Sequence, residues 1–142
     1  MFPDFFQALE RPIKDYLSIV GQANDHPLTR RNNGAYRLSG AWSVKLSGDG
    51  FHVNHVHPEG WISSAFYVDV PDGTQEDPEQ KGWIKFGEPP FKVPGITHEH
   101  IVAPKAGRLV LFPSYMWHGT LPIAKGMTRM TLPFDAVPAW EA

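Results

Sequence analysis

The chain has 142 residues, of which 42% are hydrophobic and 13% aromatic, and this composition suits one domain with a single core. Its 13 basic and 15 acidic residues give a formal net charge of -2, with no long run of either sign. We therefore expect no nucleic-acid partner and no electrostatic attachment to a membrane. The absence of cysteine excludes disulfides and thiolate metal sites.

The N-terminal segment predicts an amphipathic helix over about residues 3–21. Pro12 interrupts the pattern, because proline lacks an amide proton and clashes with the preceding turn. Two short helices, with Pro12 opening the second, and one kinked helix both fit. The segment lacks a basic start and carries Asp4 and Glu10, so we expect no signal peptide. No run of ~18 apolar residues occurs anywhere, and we expect a cytoplasmic protein. The apolar positions that carry the helical pattern are Phe5, Phe6, Leu9, Ile13, Tyr16, Leu17 and Val20.

From about Tyr36 onwards, the sequence predicts short strands separated by sharp turns. Fourteen prolines and thirteen glycines can supply the turns, and strands without intervening helices are typical of a sandwich or barrel. Residues 71–82 and 87–95 are polar or proline-rich, so we expect surface loops there. The predicted fold is all-β apart from the short N-terminal helix. The strand-length segments are YRLSGAWSVKL, GFHVNHVH, WISSAFYVDV, WIKF, RLVLF, WHGTL and MTRMTLPFD.

Three histidines lie close together in the segment FHVNHVHPEGW, residues 51–61. Alternate residues of an extended strand share a face, so His55 and His57 are predicted on one face and His52 on the other. Two imidazoles spaced in this way can bind one metal ion, and Pro58 would end the strand after them. A single histidine would more simply be a surface residue, whereas a His-x-His pair at a strand end favours metal binding.

A metal site needs at least one further ligand from a distant strand. His118, in GRLVLFPSYMWHGT, is the candidate, because it starts a strand after a glycine turn, an apolar strand and a proline turn. His98 and His100 are rivals in the segment THEH. They lie between prolines, so we expect them to be exposed in a loop.

The segment TRMTLPFD adds an arginine and a hydroxyl at positions that share a face, Arg129 and Thr131. A guanidinium group binds a carboxylate through two hydrogen bonds, and a hydroxyl can supply a third. The alternative is a surface charge on an edge strand. Together with the histidines, the pair favours binding of an anionic small molecule.

These segments resemble the 2-oxoglutarate and Fe(II)-dependent oxygenases, most closely a subgroup found in bacteria and phages. The likeness lies in HVHPEGWISSAFYVDVP (55–71), GRLVLFPSYMWHGTLP (107–122) and TRMTLPFDAVP (128–138), and it covers the chain from about Trp42 to its end. It implies a double-stranded β-helix, a cupin-like jelly roll, as one domain over residues 1–142. It also implies Fe(II) as cofactor and 2-oxoglutarate as cosubstrate, with hydroxylation of a substrate coupled to formation of succinate and CO2.

The resemblance implies roles for individual residues. His118 would be the distal histidine ligand of the iron. Arg129 and Thr131 would match the Arg-x-Ser/Thr pair that binds the far carboxylate of 2-oxoglutarate. Tyr67 shares a strand face with Ser63 and Ala65, and its phenol could reach a carboxylate of the cosubstrate.

The first two metal ligands depart from the usual His-x-Asp/Glu pattern of these oxygenases. Either His55 with His57 or His57 with Glu59 fits. We favour His55 and His57, because Pro58 tends to bend the chain out of the sheet before Glu59. Three neutral imidazoles would carry one negative charge fewer than the usual triad.

Two other functions remain open. A cupin-type metal enzyme that needs no 2-oxoglutarate shares the sandwich and often a three-histidine site, but it leaves Arg129 and Thr131 unexplained. A non-catalytic ligand-binding module would use the histidines structurally. The expected partner is a primary substrate, either a small molecule or a peptide. Residues that could line the mouth of the site are His52, Asn54, Trp61, Tyr115 and Trp117.

Overall fold

The computed structural model describes residues 2–140. One long helix is followed by a short helix and by ten strands in two antiparallel sheets. A single 3-10 turn lies in the predicted loop 71–82, at Thr74–Glu76. The helices are α1 (Phe2–Val20) and α2 (Pro27–Arg30), and the strands are β1 (Tyr36–Ala41), β2 (Val44–Ser47), β3 (His52–His55), β4 (Ile62–Asp69), β5 (Ile84–Phe86), β6 (His100–Val102), β7 (Leu109–Pro113), β8 (His118–Thr120), β9 (Thr128–Thr131) and β10 (Phe134–Pro138).

The predicted N-terminal helix forms as one continuous helix that includes Pro12. The sequence left two interpretations open, and the structure excludes the one with two separate helices. Pro12 and Ala8 are both exposed, so water can reach the carbonyl group of Ala8 that the proline leaves without its usual donor. The chain leaves the helix at Gly21, whose φ of 74° is readily adopted only by glycine.

The larger sheet has the order β1-β10-β4-β9-β2, and β7 pairs with the other edge of β4. Helix α1 packs on this sheet through its buried apolar stripe. The indole Nε1 of Trp61 donates to the carbonyl oxygen of Leu28 at 2.9 Å and so ties α2 to the same layer. The core between helix and sheet contains Leu9, Ile13, Leu17, Trp61, Ile62, Phe134 and Ala136.

The smaller sheet has the order β3-β8-β5-β6. Strand β6 was not predicted, because His100 lies in a segment that we expected to be a proline-flanked loop. Strand β6 forms because it pairs with β5, and the local sequence alone does not indicate this pairing. Between the sheets, Ile84, Phe86 and Phe112 form a second buried cluster next to the histidines.

Candidate functional site

Strand β3 carries the first histidines, and a bulge changes which side chains face inwards. His52 pairs with Thr120 and His55 with His118, so the two residues between the β3 positions, Val53 and Asn54, oppose the single residue Gly119 of β8. Regular alternation placed His52 on the face opposite to His55, and this prediction was wrong. Both residues line one cavity, while Val53 is 63% exposed.

His57 lies just beyond β3, in a turn that is fixed by the backbone. Its N–H donates to the carbonyl oxygen of Ser114 at 2.9 Å, and its own carbonyl oxygen accepts from Gly60 N–H at 3.0 Å. A Cβ atom on Gly60 would lie 2.8 Å from the Cβ of Ser114, so only glycine fits there without movement. Glu59, the alternative ligand, is an exposed residue of this turn.

Strand β8 brings His118 beside the β3 histidines because Gly119 lets the two strands approach closely. A Cβ atom on Gly119 would collide with the side-chain oxygen of Asn54 and would lie 2.9 Å from the carbonyl oxygen of His52. On its other side β8 pairs with β5, and Phe86 lies opposite His118. His118 is therefore buried in the middle of a sheet, with 7% of its surface exposed.

The three predicted histidines form a compact group. One ring nitrogen from each of His55, His57 and His118 lies within 4.8 Å of the others, and no carboxylate of residues 2–140 joins them as a fourth possible ligand. The ring centroids are 4.2 Å apart for His55 and His118 and 5.1 Å apart for each of the other two pairs. Three nitrogens so arranged can bind one divalent cation.

Hydrogen bonds fix the same tautomer on all three rings. The Nδ1 atom of His55 is 2.7 Å from the carbonyl oxygen of Val53, and that of His118 is 3.0 Å from the carbonyl oxygen of Met116. The Nδ1 atom of His57 is 2.7 Å from Oδ2 of Asp135. Carbonyl and carboxylate oxygens accept, so each Nδ1 donates its proton, and Nε2 is the nitrogen of each ring that is left for a cation.

Burial keeps the innermost imidazole neutral. Desolvation lowers the pKa of His118 to about 4, although its hydrogen bond to Met116 opposes the shift. The pKa of His52 is also lowered, first by burial and then by the positive charge of Arg129. Neutral imidazole is the form that binds a metal ion, and His118 is neutral at pH 7.

A cavity of about 290 Å³ contains the three histidines and the three residues predicted to bind a cosubstrate. Trp42, half exposed, and Pro133 belong to its wall, together with apolar side chains. The further residues that line it are Val44, His52, Ser64, Ala65, Tyr67, Ile84, Phe112, Gly119, Thr120, Arg129 and Thr131. The three histidines and a buried arginine thus line one cavity.

Arg129 is a buried cation without an acidic partner. Only 4% of its surface is exposed, and no Asp or Glu oxygen of residues 2–140 lies within 4.0 Å of its guanidinium nitrogens. Its Nη1 donates to the carbonyl oxygen of Gly82 and its Nη2 to Oγ1 of Thr120 at 3.4 Å, whereas its Nε is buried without a partner. A buried charge of this kind is unfavourable until an anion binds beside it.

Thr131 and Tyr67 lie next to this arginine. Thr131 pairs with Tyr67 across β9 and β4, and both are buried. The Arg129 guanidinium carbon is 5.5 Å from the centre of the Tyr67 ring. Burial raises the pKa of Tyr67, so its phenol stays protonated and can donate a hydrogen bond to an anion.

The structure also places the remaining candidates. His100 is exposed and His98 lies 3.8 Å from a carboxylate oxygen of Glu88, so neither joins the histidine group. Trp61 belongs to the core between helix and sheet and not to the mouth of the site. Tyr115 and Trp117 line a neighbouring cavity that shares His57 with the first.

Asp135 and Trp42 are site residues that we did not predict. Asp135 stands at the end of the segment TRMTLPFD, beyond the break between β9 and β10, and its contact with His57 joins residues 78 positions apart in the chain. The single signal for Trp42 was its position in a turn between two strands.

Among residues 2–140, no helix has the length and hydropathy that a membrane span requires.

Several solved structures share the fold. An oxidoreductase of the 2OG-Fe(II) oxygenase family from Burkholderia pseudomallei is 14% identical, with a TM-score of 0.56 over 73% of this chain and 46% of that chain. A prolyl-4-hydroxylase from Pseudomonas putida is 21% identical, with a TM-score of 0.51 over 70% and 52% of the two chains. HygX from Streptomyces hygroscopicus, with nickel and 2-oxoglutarate bound, is 13% identical, with a TM-score of 0.52 over 75% and 57%.

These likenesses confirm the predicted fold, an all-β jelly roll with an N-terminal helix. The chain spans only about half of the length of the first two of those proteins. No curated protein matches it in sequence. Residues 40–135, more than half of the chain, match the model of the family described as "Putative 2OG-Fe(II) oxygenase". The chain therefore belongs to the family of 2-oxoglutarate and Fe(II)-dependent oxygenases.

Proposed function

We propose that this protein is an Fe(II)- and 2-oxoglutarate-dependent dioxygenase that hydroxylates a substrate. The observation that carries the proposal is the set of residues that line the cavity of about 290 Å³. It contains three imidazoles with free Nε2 atoms and a buried arginine that lacks an anionic partner. A metal site explains the first feature, and a carboxylate ligand explains the second.

His55, His57 and His118 would hold the iron through their Nε2 atoms. Their donor set fits a first-row divalent metal, and three protein ligands leave positions for a chelating cosubstrate and for O2. Hydrogen bonds from all three Nδ1 atoms fix the rings before the metal arrives. When bound, Fe(II) supplies the redox chemistry by which 2-oxoglutarate, O2 and a substrate C–H bond yield succinate, CO2 and an alcohol.

Arg129, Thr131 and Tyr67 would bind the far carboxylate of 2-oxoglutarate. Thr120, which accepts from the guanidinium of Arg129, lies two residues beyond His118 on β8. Two residues of a strand span about 6.6 Å, a length that a five-carbon dicarboxylate could bridge between the histidines and the arginine. The carboxylate would compensate the buried positive charge and accept hydrogen bonds from the two hydroxyl groups.

The walls of the cavity would keep bulk water away from the reacting groups. Ile84 and Phe112 are buried beside the histidines, and Ala65 and Val44 complete an apolar lining. Such surroundings strengthen the attraction between the arginine and a carboxylate. The small side chain of Ala65 leaves space for the ligand.

A second candidate is a cupin-type metal enzyme that does not use 2-oxoglutarate. The feature that favours it is the group of three imidazoles, which no carboxylate of residues 2–140 joins as a further ligand. Arg129 separates the two candidates, because a cupin-type reaction gives no reason to bury an arginine without a partner.

Formation of succinate tests the proposal without knowledge of the primary substrate. The protein should release succinate from 2-oxoglutarate slowly in air, only when Fe(II) is present. His118→Ala should abolish the activity, since it removes a metal ligand. Arg37→Met, which changes an exposed arginine on β1, should leave the activity unchanged. A protein that retains Fe(II) but forms no succinate would support the cupin-type reaction instead.

A further inference from the structure

We propose that Asp135 is a positioning residue of the metal centre, which orients His57 and supplies through it the negative charge that three neutral ligands lack. The inference rests on the proposed function, because it assumes a cation at the Nε2 atoms. It adds a residue that belongs to neither the predicted ligands nor the predicted cosubstrate site.

The histidines differ in what their Nδ1 protons contact. His55 and His118 donate to neutral carbonyl groups, whereas His57 donates to a carboxylate at 2.7 Å. A hydrogen bond to a carboxylate makes the imidazole more basic and a stronger electron donor at its other nitrogen. His57 is therefore the ligand through which the protein can add negative charge to the centre.

The carboxylate of Asp135 has no other compensation. The residue is 9% exposed, its Oδ1 is buried without a hydrogen-bond donor, and no lysine or arginine of residues 2–140 lies within 4.0 Å of it. In the metal-free protein, the hydrogen bond from Nδ1 of His57 is the single side-chain contact of this carboxylate within residues 2–140. A cation bound at the other nitrogen of His57 would compensate it further.

The backbone holds Asp135 in place. Strand β10 lies between β1 and β4, where Asp135 pairs with Gly40 on one side and with Ser63 on the other. The hydroxyl of Ser39 also donates to the carbonyl oxygen of Asp135 at 3.3 Å. A carboxylate fixed between two strands restrains the imidazole ring that it contacts.

Because Asp135→Asn removes the charge, it should weaken metal binding without weakening the stability of the metal-free protein. Asparagine has the same shape and retains an oxygen acceptor but has no charge. Metal affinity should fall by about ten- to a hundred-fold, the usual range for loss of such an outer-shell partner. Stability of the metal-free protein should stay the same or rise, because a poorly compensated buried charge is removed. If the amide nitrogen faced His57 instead, it would favour the wrong tautomer and also weaken metal binding.

The test is an anaerobic titration with Co(II), followed by its visible absorption, together with urea unfolding of the metal-free protein. Wild type, Asp135→Asn and Asp135→Ala are compared, and Asp69→Asn, an exposed aspartate on β4, is the control. We expect weaker Co(II) binding in both Asp135 variants, wild-type binding in the control, and an undiminished urea midpoint for Asp135→Asn. If Asp135→Asn does not fold, the alanine variant still reports the Co(II) affinity.

Two results would overturn the inference. In one, the Asp135 variants bind Co(II) as tightly as the wild type. In the other, metal-free Asp135→Asn is much less stable and binds Co(II) normally once folded, as expected of a residue with a structural role only. Succinate formation by the same wild-type sample separates the proposals: unchanged Co(II) affinity in an active enzyme refutes the role of Asp135 alone. A wild type that binds no Co(II) refutes both.

Discussion

Replacement of Arg129 by methionine should separate ligand binding from folding. Methionine fills much of the same volume and removes the guanidinium group. In the wild type this group donates to Gly82 and Thr120, and its Nε is buried without a partner. A bound carboxylate would therefore gain a charge-assisted interaction that no residue of the described chain provides.

The expected loss of cosubstrate affinity follows from that interaction. A hydrogen bond to a charged group contributes about 1.5–3 kcal/mol, and about 1.4 kcal/mol corresponds to a factor of ten. Arg129→Met should thus weaken 2-oxoglutarate binding by about ten- to a hundred-fold. Metal content should not change, because a guanidinium group stays protonated and cannot coordinate a metal ion.

The expected change in folding stability is small. The substitution removes an uncompensated buried charge, which is favourable, but it leaves the carbonyl of Gly82 and the hydroxyl of Thr120 without a donor, at about 1–3 kcal/mol each. These effects oppose each other, so the free energy of unfolding should change by less than about 2 kcal/mol. An arginine in a buried ion pair would instead leave its partner charged, and its loss would cost about 3–5 kcal/mol.

Calorimetric titration of the Mn(II)-loaded protein with 2-oxoglutarate measures the affinity without turnover, and urea unfolding of the metal-free protein measures the stability. Arg37→Met is the matched control, since Arg37 is exposed on β1. An unchanged dissociation constant for 2-oxoglutarate would refute the assignment of Arg129. A large loss of stability with normal binding would show that the arginine has a structural role.

Three further predictions concern the histidine group. His55→Ala should abolish Co(II) binding in an anaerobic titration, whereas Glu59→Ala should leave it nearly unchanged because Glu59 is exposed in the turn; the reverse result would make Glu59 the ligand. Gly119→Ala should lower the free energy of unfolding by about 1–3 kcal/mol, because its Cβ would lie 2.9 Å from the carbonyl oxygen of His52; an unchanged urea midpoint would show that the strands can separate without loss. In the metal-free protein, the pKa of His118 near 4 means that the unfolded chain takes up a proton first as pH falls below about 6.5. Stability should therefore drop by about 2 kcal/mol between pH 7 and pH 5 and be constant above pH 7, and His118→Asn should lose this part of the pH dependence in urea unfolding.

The sequence predicted those parts of the fold that local patterns determine. The spacing of Leu9, Ile13 and Leu17 indicated the N-terminal helix, and these residues form its buried stripe. The seven short segments between turn residues cover nine of the strands, because two of these segments each contain two strands. Strand β6 was missed because its pairing with β5 outweighs a local sequence that resembles a loop.

The residues brought together in the site were predictable where strand spacing and family likeness agreed. His55, His57 and His118 lie together as the sequence indicated, and their role as ligands stays a prediction. The inward direction of His52 was not predictable, because a bulge depends on how β3 pairs with β8 and leaves no mark in β3 itself. The contact between Asp135 and His57 joins residues far apart in the chain, and no spacing rule connects them.

The central claim is that one cavity holds both the metal and 2-oxoglutarate. Its most direct test is calorimetric titration of 2-oxoglutarate into the same protein with and without Mn(II). We expect one molecule bound per chain in the loaded protein, and binding at least tenfold weaker in the metal-free protein, where Arg129 is the main charged contact that remains. Equal affinity in both forms, or no binding in either form, would contradict a shared site at His55, His57, His118 and Arg129.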